Sequence, residues 1–263
     1  MPIVEAIVLG IVQGLSEFLP ISSSGHLIVV PWLFGWEELP TEPANLERAF
    51  DVALHMGTFV GALVYFRRDV WRLLFHERRL GWLLALASVP AALTGVVLDT
   101  FVEDELSAEW LIGVMLIVFG LVLAWADGRA ERLDERDFGP RAALLMGVAQ
   151  ACALQPGVSR SGVTMSMARG IGFTRDAAAR LSFLMSLPII AGAGLYSGVD
   201  VVREGGVPSD FVAAFVWGTL ASAVTGFLAI WGLLRLVRTR SFGPFVAYRM
   251  VAGALVIAIA VAR

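Results

Sequence analysis

Two polar segments interrupt an otherwise apolar sequence, and they carry the residues that could perform chemistry. The first, GLSEFLPISSSGH, contains Glu17, Ser23 and His26, and the second, LQPGVSRSGVT, contains Arg160. An ionised side chain at the centre of a membrane costs at least about 2.5–3.5 kcal/mol, so one that is kept there is functional by default. A carboxylate, a hydroxyl, an imidazole and a guanidinium together predict binding and transfer of a phosphoryl group. These four residues are therefore the candidate catalytic residues.

Each polar segment also predicts the start of a helix, and a helix start binds anions. Pro20 in the first segment and Pro156-Gly157 in the second break the chain before a new helix begins. The unpaired N–H groups and the positive end of the helix dipole at such a start attract phosphate, and arginine adds a planar fork for two oxygens. Besides Arg160, the predicted phosphate-binding residues are Gln13, Ser22, Ser24, Gly25, Ser159, Ser161 and Thr164.

The sequence leaves the identity of the nucleophile open. Ser23 could attack phosphorus with His26 or Glu17 as its base, or His26 could attack directly. We favour Ser23 assisted by His26, because side chains three residues apart project onto one face of a helix. Glu17 could then hold a cation, orient the histidine or move protons.

The composition places both segments in a membrane. Of the 263 residues, 57% are hydrophobic and 16% are charged, and the mean hydropathy is +0.76, whereas a soluble domain carries about 25% charged residues. We predict an all-α integral membrane protein with a single membrane domain over residues 1–263. Six transmembrane helices are predicted near 50–66, 81–99, 110–126, 181–199, 211–234 and 245–262, and two re-entrant helical hairpins at 3–34 and 141–173.

The distribution of arginine predicts the orientation of these elements. The arginine-rich linkers should be cytoplasmic and the acidic linkers should face outward; the former are 67–80, 127–141 and 235–240, and the latter are 36–49 and 99–109. The crossings alternate correctly only if the two hairpins insert from opposite sides. Five residues of the first hairpin also recur 137 positions later, namely Gly10, Gln13, Ser22, Ser24 and Gly25. We therefore predict an inverted-topology repeat, 1–126 and 141–263, with the site where the hairpin tips meet near the midplane.

Three further polar residues lie in or beside the predicted spans. Asp51 and His55, four residues apart at the outer end of the third segment, are interpreted as a pair at a helix start that lines the mouth of the cavity. Arg249, near the inner end of the last span, is interpreted as snorkelling to the membrane interface. The net charge of −3 provides no basic surface and argues against nucleic acid as a partner.

The two motifs together resemble those of the undecaprenyl-diphosphate phosphatase family of the bacitracin-resistance type. They are Gln13-xxx-Glu17 followed by PISSSGH, and PGVSRSGVT, and the resemblance extends to FDVALHMGTFVGALVYF and FTRDAAARLSFLMSLPII. It implies a membrane enzyme that removes the terminal phosphate of undecaprenyl diphosphate and so regenerates the monophosphate carrier for cell-wall glycan assembly. It also implies that Ser23 and His26 are essential and that Arg160 binds phosphate.

The resemblance further implies a cofactor, an orientation and partners. A divalent cation, Mg²⁺ or Ca²⁺, is implied, with Glu17 as its candidate ligand, although Gln13 removes one carboxylate where many family members have glutamate. The active site should open to the outer face of the cell membrane. The expected partners are the polyprenyl diphosphate substrate, membrane lipids and a second copy of the chain in a homodimer. The alternative function is a polyprenyl-phosphate flippase or an anion transporter, which would use the same phosphate cradle without a nucleophile and base.

Overall fold

The computed structural model describes residues 1–36, 46–105, 107–203 and 206–263, with the backbone alone at 96, 98–105, 200 and 202. The described chain is helical throughout, and its helices are α1 (Ile3–Phe18), α2 (Ser23–Phe34), α3 (Leu46–Phe75), α4 (Arg78–Glu105), α5 (Glu109–Asp127), α6 (Pro140–Ala151), α7 (Arg160–Gly170), α8 (Arg175–Arg203), α9 (Ser209–Leu236) and α10 (Gly243–Ala262). Short 3₁₀ turns occur at Glu135–Asp137 and Cys152–Leu154.

Each of the six predicted spans lies within one of the long helices, which are α3, α4, α5, α8, α9 and α10. Five of these helices, all except α4, are both long and apolar enough over their described residues to cross a membrane. α4 has 28 residues, which corresponds to about 42 Å of helix. The chain is therefore an all-α, multi-pass integral membrane protein, as predicted.

The four short helices form the two predicted hairpins, α1 with α2 and α6 with α7. They have 16, 12, 12 and 11 residues, so each is only about 16–24 Å long and falls short of a hydrocarbon core of about 30 Å. The first tip lies at 19–22 and the second at 152–159. Within the described residues, Ser22 (φ 78°) and Ser159 (φ 74°) are the two residues other than glycine with positive φ. Such a backbone costs about 1–3 kcal/mol and is typical of functional sites.

The order of the helices is the same in both halves of the chain, with two short helices followed by three long ones. The contacts follow this order, because α1 packs on α9 while its counterpart α6 packs on α4, and α5 packs on α10. Glycine permits the close approach of α1 to α9 and of α6 to α4. A Cβ added to Gly10 would lie under 3.0 Å from the Gly218 carbonyl oxygen, and a Cβ added to Gly147 would crowd the Ala87 carbonyl oxygen. This pattern supports the assignment of 1–126 and 141–263 as inverted repeats, which stays a prediction.

The arginine-rich linkers lie together at one end of the protein. Three ion pairs join the helix ends and linkers there: Arg72–Glu135 at 3.1 Å, Arg180–Asp69 at 2.8 Å and Arg238–Asp176 at 3.0 Å. This agrees with the predicted common side of the linkers. Residues 37–45 and 106 of the acidic linkers lie outside the described residues.

Arg249 of α10 does not snorkel, so that prediction is wrong. Its side chain is completely buried and donates hydrogen bonds to five backbone carbonyl oxygens, those of Pro20, Met115, Leu116, Gly157 and Val158. A helix that is broken at membrane depth leaves carbonyl groups without partners, and these must be satisfied inside the protein. Nε donates to Leu116 and Nη1 to Pro20, while the two N–H groups of Nη2 are shared among the other three oxygens. Arg249 therefore holds both hairpin tips and the middle of α5 together.

Candidate active site

Three predicted catalytic side chains meet where the two hairpin tips touch. Glu17 lies in the last turn of α1, Ser23 is the first residue of α2, and Arg160 is the first residue of α7. The Ser23 hydroxyl donates to Glu17 Oε2 at 2.6 Å, and Arg160 Nη2 donates to Glu17 Oε1 at 2.9 Å. The carboxylate thus connects a potential nucleophile on one tip to a cation on the other.

Further contacts hold the Glu17 carboxylate in a fixed place. It is only 5% exposed, and Gln13 Nε2 donates to Oε2 at 3.2 Å from one turn earlier in α1. His55 Nε2 of α3 lies 3.6 Å from the same oxygen. A buried carboxylate needs several such partners, because its desolvation otherwise costs several kcal/mol. An anion fixed next to the Ser23 hydroxyl is well placed to accept its proton.

One edge of the Arg160 guanidinium has no hydrogen-bond partner in the part of the chain that the structure describes. Nη2 is bound to Glu17, while Nη1 is buried and has no hydrogen-bond partner among the described residues. A buried donor without a partner is costly, so such groups in native proteins usually have a functional explanation. A phosphate oxygen next to Ser23 would satisfy this donor.

A cavity of about 340 Å³ opens directly above these residues. Its polar wall includes Glu17, Ser22, Ser23, Ser24, Ser159 and Arg160, and its apolar wall is formed by Ile189, Ile190 and Ala193 of α8 together with Val52 and Ala153. Ser22, the residue before α2, makes no side-chain capping bond to that helix. The Ser22 side chain therefore leaves the first N–H groups of α2 uncapped. An anion site at a helix start requires such uncapped N–H groups.

Four of the predicted phosphate-binding residues do not line this cavity, and each has a different place in the structure. Gln13 is completely buried against Glu17, and Ser161 donates to the Leu19 carbonyl oxygen. Thr164 is buried and shares a hydrogen bond with Ser182. Gly25 packs against Gly157, and a Cβ added to Gly25 would lie 3.2 Å from the Gly157 nitrogen. Ser161 and Gly25 therefore join the two tips, Gln13 supports Glu17, and Thr164 ties α7 to α8.

The expected contact between Ser23 and His26 is not formed. His26 Nδ1 lies 2.7 Å from the Ser22 carbonyl oxygen, and Nε2 lies 2.6 Å from the Tyr248 hydroxyl. Both ring nitrogens therefore have partners other than Ser23. Both residues belong to α2, but the Ser23 hydroxyl is bonded to Glu17 and the His26 ring is bonded back to the Ser22 carbonyl, so a shared helix face does not bring them into contact.

The cavity also includes residues from the beginning of α3. Asp51 and His55 line it, in agreement with their interpretation as cavity-lining residues, and His55 extends to 3.6 Å from Glu17. Arg48 lines it as well and was missed by the sequence analysis. The signal that could have identified Arg48 is its isolation, because it is the only basic residue of the acidic linker 36–49.

Comparison with known sequences agrees with the geometry of the site. The sequence model of the family described as bacitracin resistance protein BacA matches residues 6–255. The chain belongs to this family. Relatives named undecaprenyl-diphosphatase include those of Pelotomaculum thermopropionicum and Geobacter sulfurreducens, each 46% identical over the whole chain and at least 98% of the relative. That of Desulforudis audaxviator is 48% identical over 98% of both chains.

Around Glu17, the described residues of this bacitracin-resistance family member do not form a metal centre. Within the described part of the chain, no group of three or more His, Cys, Asp and Glu side chains could hold a metal ion. Both oxygens of Glu17, the predicted ligand, already accept hydrogen bonds from Arg160 and Ser23. Gln13 directs one amide N–H group, which cannot bind a cation, toward that carboxylate. This donor set does not fit a resident Mg²⁺ or Ca²⁺ ion.

We expect Arg160→Lys to weaken binding of orthovanadate, a phosphate mimic, by more than tenfold and nearly as much as Arg160→Ala. A lysine ammonium at this position cannot pair with Glu17 and also provide a second, separate donor to the anion, as Nη1 of arginine can. The lost hydrogen bond to a charged group costs about 1.5–3 kcal/mol. Calorimetry on detergent-purified protein measures the affinity. The matched control is Arg141→Lys, at an exposed arginine of the opposite end. If Arg160→Lys kept more than half of the wild-type affinity, the two-edged role of Arg160 would be wrong.

Proposed function

We propose that this protein hydrolyses undecaprenyl diphosphate to undecaprenyl phosphate and inorganic phosphate, and so recycles the lipid carrier for cell-wall glycan synthesis. The observation that carries the proposal is the Ser23–Glu17–Arg160 arrangement at the floor of the cavity. The relatives named undecaprenyl-diphosphatase support the same substrate. A flippase or anion transporter is not favoured, because binding alone would not require a hydroxyl that donates to a buried carboxylate.

In the first step, Ser23 attacks the terminal phosphorus of the diphosphate. A bond forms between Ser23 Oγ and phosphorus while the bridging P–O bond breaks, and Glu17 accepts the hydroxyl proton. The unpaired Nη1 of Arg160 and the N–H groups at the start of α2 stabilise the negative charge on the transferring oxygens. Undecaprenyl phosphate leaves and takes up the proton from Glu17.

In the second step, water attacks the phosphoserine. Glu17 accepts a proton from the water while the bond between phosphorus and Ser23 Oγ breaks, and the proton then returns to the serine oxygen. Inorganic phosphate leaves and the hydroxyl again donates to Glu17. The same carboxylate therefore acts as the base in both steps, and Arg160 keeps it in place throughout.

The two walls of the cavity match the two parts of the lipid substrate. The serines and Arg160 on one side suit the diphosphate, and Ile189, Ile190 and Ala193 of α8 suit the first units of the prenyl chain. A homodimer stays a prediction from the family resemblance, whereas the donor set around Glu17 does not fit the Mg²⁺ or Ca²⁺ ion that the resemblance implied. The steps above use only groups of this chain.

We further propose that the cavity opens to the outer face of the plasma membrane. The first turns of α3 contribute Arg48 and Asp51 to the cavity. The last turn contains Arg72, which pairs with Glu135 at the arginine-rich end. The cavity and the arginine-rich linkers are thus at opposite ends of a 30-residue helix. Because arginine-rich linkers are retained in the cytoplasm, the cavity should face outward.

Rapid quenching with substrate that is radiolabelled in its terminal phosphate tests the nucleophile. We expect the wild-type protein to trap label that is stable in acid and labile in base, as a phosphoserine is, and Ser23→Ala to trap none. Turnover of Ser23→Ala should fall by at least about 10³-fold, since the covalent route is lost. Ser186→Ala is the matched control, because that buried serine lies in α8 and bonds only within its helix. Acid-labile label that persists in Ser23→Ala would indicate a phosphohistidine and contradict this mechanism.

Cysteine labelling tests the orientation. In a Cys152→Ala background, Asp210→Cys at the start of α9 should react with a membrane-impermeant maleimide in intact cells, and Arg132→Cys should react only after permeabilisation. Both positions are exposed, so access to the reagent depends on the side of the membrane. The reverse pattern of labelling would place the cavity on the cytoplasmic side.

A further inference from the structure

His26 is held in one tautomer by its two neighbours. The Ser22 carbonyl oxygen, 2.7 Å from Nδ1, can only accept a hydrogen bond, so Nδ1 carries a proton. Nε2 of the neutral ring then accepts a hydrogen bond from the Tyr248 hydroxyl, at 2.6 Å. The two rings also stack, with centroids 5.7 Å apart and an angle of 18° between their planes. The Ser22 carbonyl thus fixes the tautomer of His26, and Tyr248 holds the ring in one orientation.

The carbonyl that His26 holds belongs to the strained residue immediately before Ser23. Ser22 has φ 78°, and its carbonyl oxygen accepts a second hydrogen bond from the His26 backbone N–H at 3.2 Å. Its side-chain oxygen accepts a hydrogen bond from the Gly157 N–H of the second tip at 3.0 Å. Ser22 is therefore fixed from both sides, and its backbone sets the direction in which Ser23 projects.

The second hairpin lacks this support. The residue 137 positions after His26 is Val163, which contributes only its backbone N–H to the Ser159 carbonyl oxygen, at 2.9 Å. The residue in the place of Ser23 is Arg160, whose long side chain can adjust its own position. The histidine occurs only in the first tip, where the residue after Ser22 is Ser23. Because the serine side chain is short, a small rotation of the backbone would break its contact with Glu17.

Tyr248 precedes Arg249, so two consecutive residues of α10 act on the same two tips. Arg249 donates to the carbonyl oxygens of Pro20 and Gly157, while Tyr248 reaches Ser22 through His26. Tyr248 lies at the surface of the helix bundle, 43% exposed.

We propose that Tyr248 is a positioning residue for the hydrolysis of the diphosphate, acting through His26 on the backbone of Ser22 so that the Ser23 hydroxyl stays directed at Glu17. His26 in this arrangement is neither the base nor the nucleophile. The proposal rests on the proposed function, because its effect is measured as a change in phosphate release.

The first test is phosphate release from undecaprenyl diphosphate by Tyr248→Phe, which keeps the stacked ring and removes the hydroxyl. We expect kcat to fall about tenfold, as the loss of one hydrogen bond of this kind does, with KM within twofold of wild type because the phosphate ligands are unchanged. Tyr65→Phe is the matched control, since that ring packs between Phe66 and Phe227. A kcat of Tyr248→Phe within twofold of wild type would overturn the proposal.

The second test separates positioning from proton transfer at His26. The amide nitrogen of His26→Asn can take the place of Nδ1 and donate to Ser22, but it cannot act as a base or nucleophile. We expect His26→Asn to retain at least tenfold more activity than His26→Ala, and Tyr248→Phe to cost less than twofold in the His26→Asn background. Equal inactivity of both His26 variants would mean that the ring itself takes part in the reaction, and the proposal would fail.

A loss of activity is compared with the folded fraction of each variant, so that a folding defect is not taken for a loss of positioning. Size-exclusion chromatography and thermal unfolding in detergent report the folded fraction, and the His26 comparison does not depend on Tyr248→Phe. If wild-type protein released no phosphate from undecaprenyl diphosphate, the proposed function would fail and this proposal with it. If wild type were active and the variants behaved otherwise than stated, only the role of Tyr248 would be refuted.

Discussion

The ion pair between Glu17 and Arg160 is the interaction on which the site depends. An ionised group inside a membrane protein is tolerated only when it is paired and hydrogen-bonded. The two partners belong to different hairpins, so neither hairpin can satisfy its own charge. The tips must therefore meet, and the arrangement of the long helices can be understood as the scaffold that brings them together.

The broken hairpins create a second requirement, which concerns the backbone. Carbonyl groups at the two tips cannot bond within a helix, and lipid offers no replacement. Arg249 supplies donors to both tips, and the Ser22 side chain accepts from the Gly157 N–H. The same contacts that satisfy the backbone also fix the distance between Ser23, Glu17 and Arg160. Structural and catalytic demands therefore coincide at this point of the fold.

Hydropathy and the positions of proline were sufficient to predict most of the fold. The spans and hairpins follow from local composition, which a membrane constrains strongly. The packing of α1 on α9 was not predicted, because it depends on a steric fit between distant glycines such as Gly10 and Gly218. Arg249 was misinterpreted for a related reason. Its position near a helix end suggested the interface, but its partners come from segments far away in the sequence.

The sequence identified the reactive residues better than it identified their partners. Glu17, Ser23 and Arg160 stood out by their chemistry in an apolar chain, and the structure brings them together. The partner of Ser23 depends on the unusual φ of Ser22, which no pattern of residue types reveals. His26 illustrates the same limit: its type predicts proton transfer, whereas its two contacts indicate support of the backbone.

The roles of Ser23 and Arg160 can be tested most directly by determining the structure of the protein with orthovanadate bound in lipid nanodiscs. Vanadate can bond to the attacking atom and take the geometry of the transferring phosphoryl group. We expect a bond between vanadium and Ser23 Oγ, a hydrogen bond from Arg160 Nη1 to a vanadate oxygen, and His26 still in contact with Ser22 and Tyr248. A bond from vanadium to a His26 nitrogen, or vanadate bound away from Arg160, would contradict these roles.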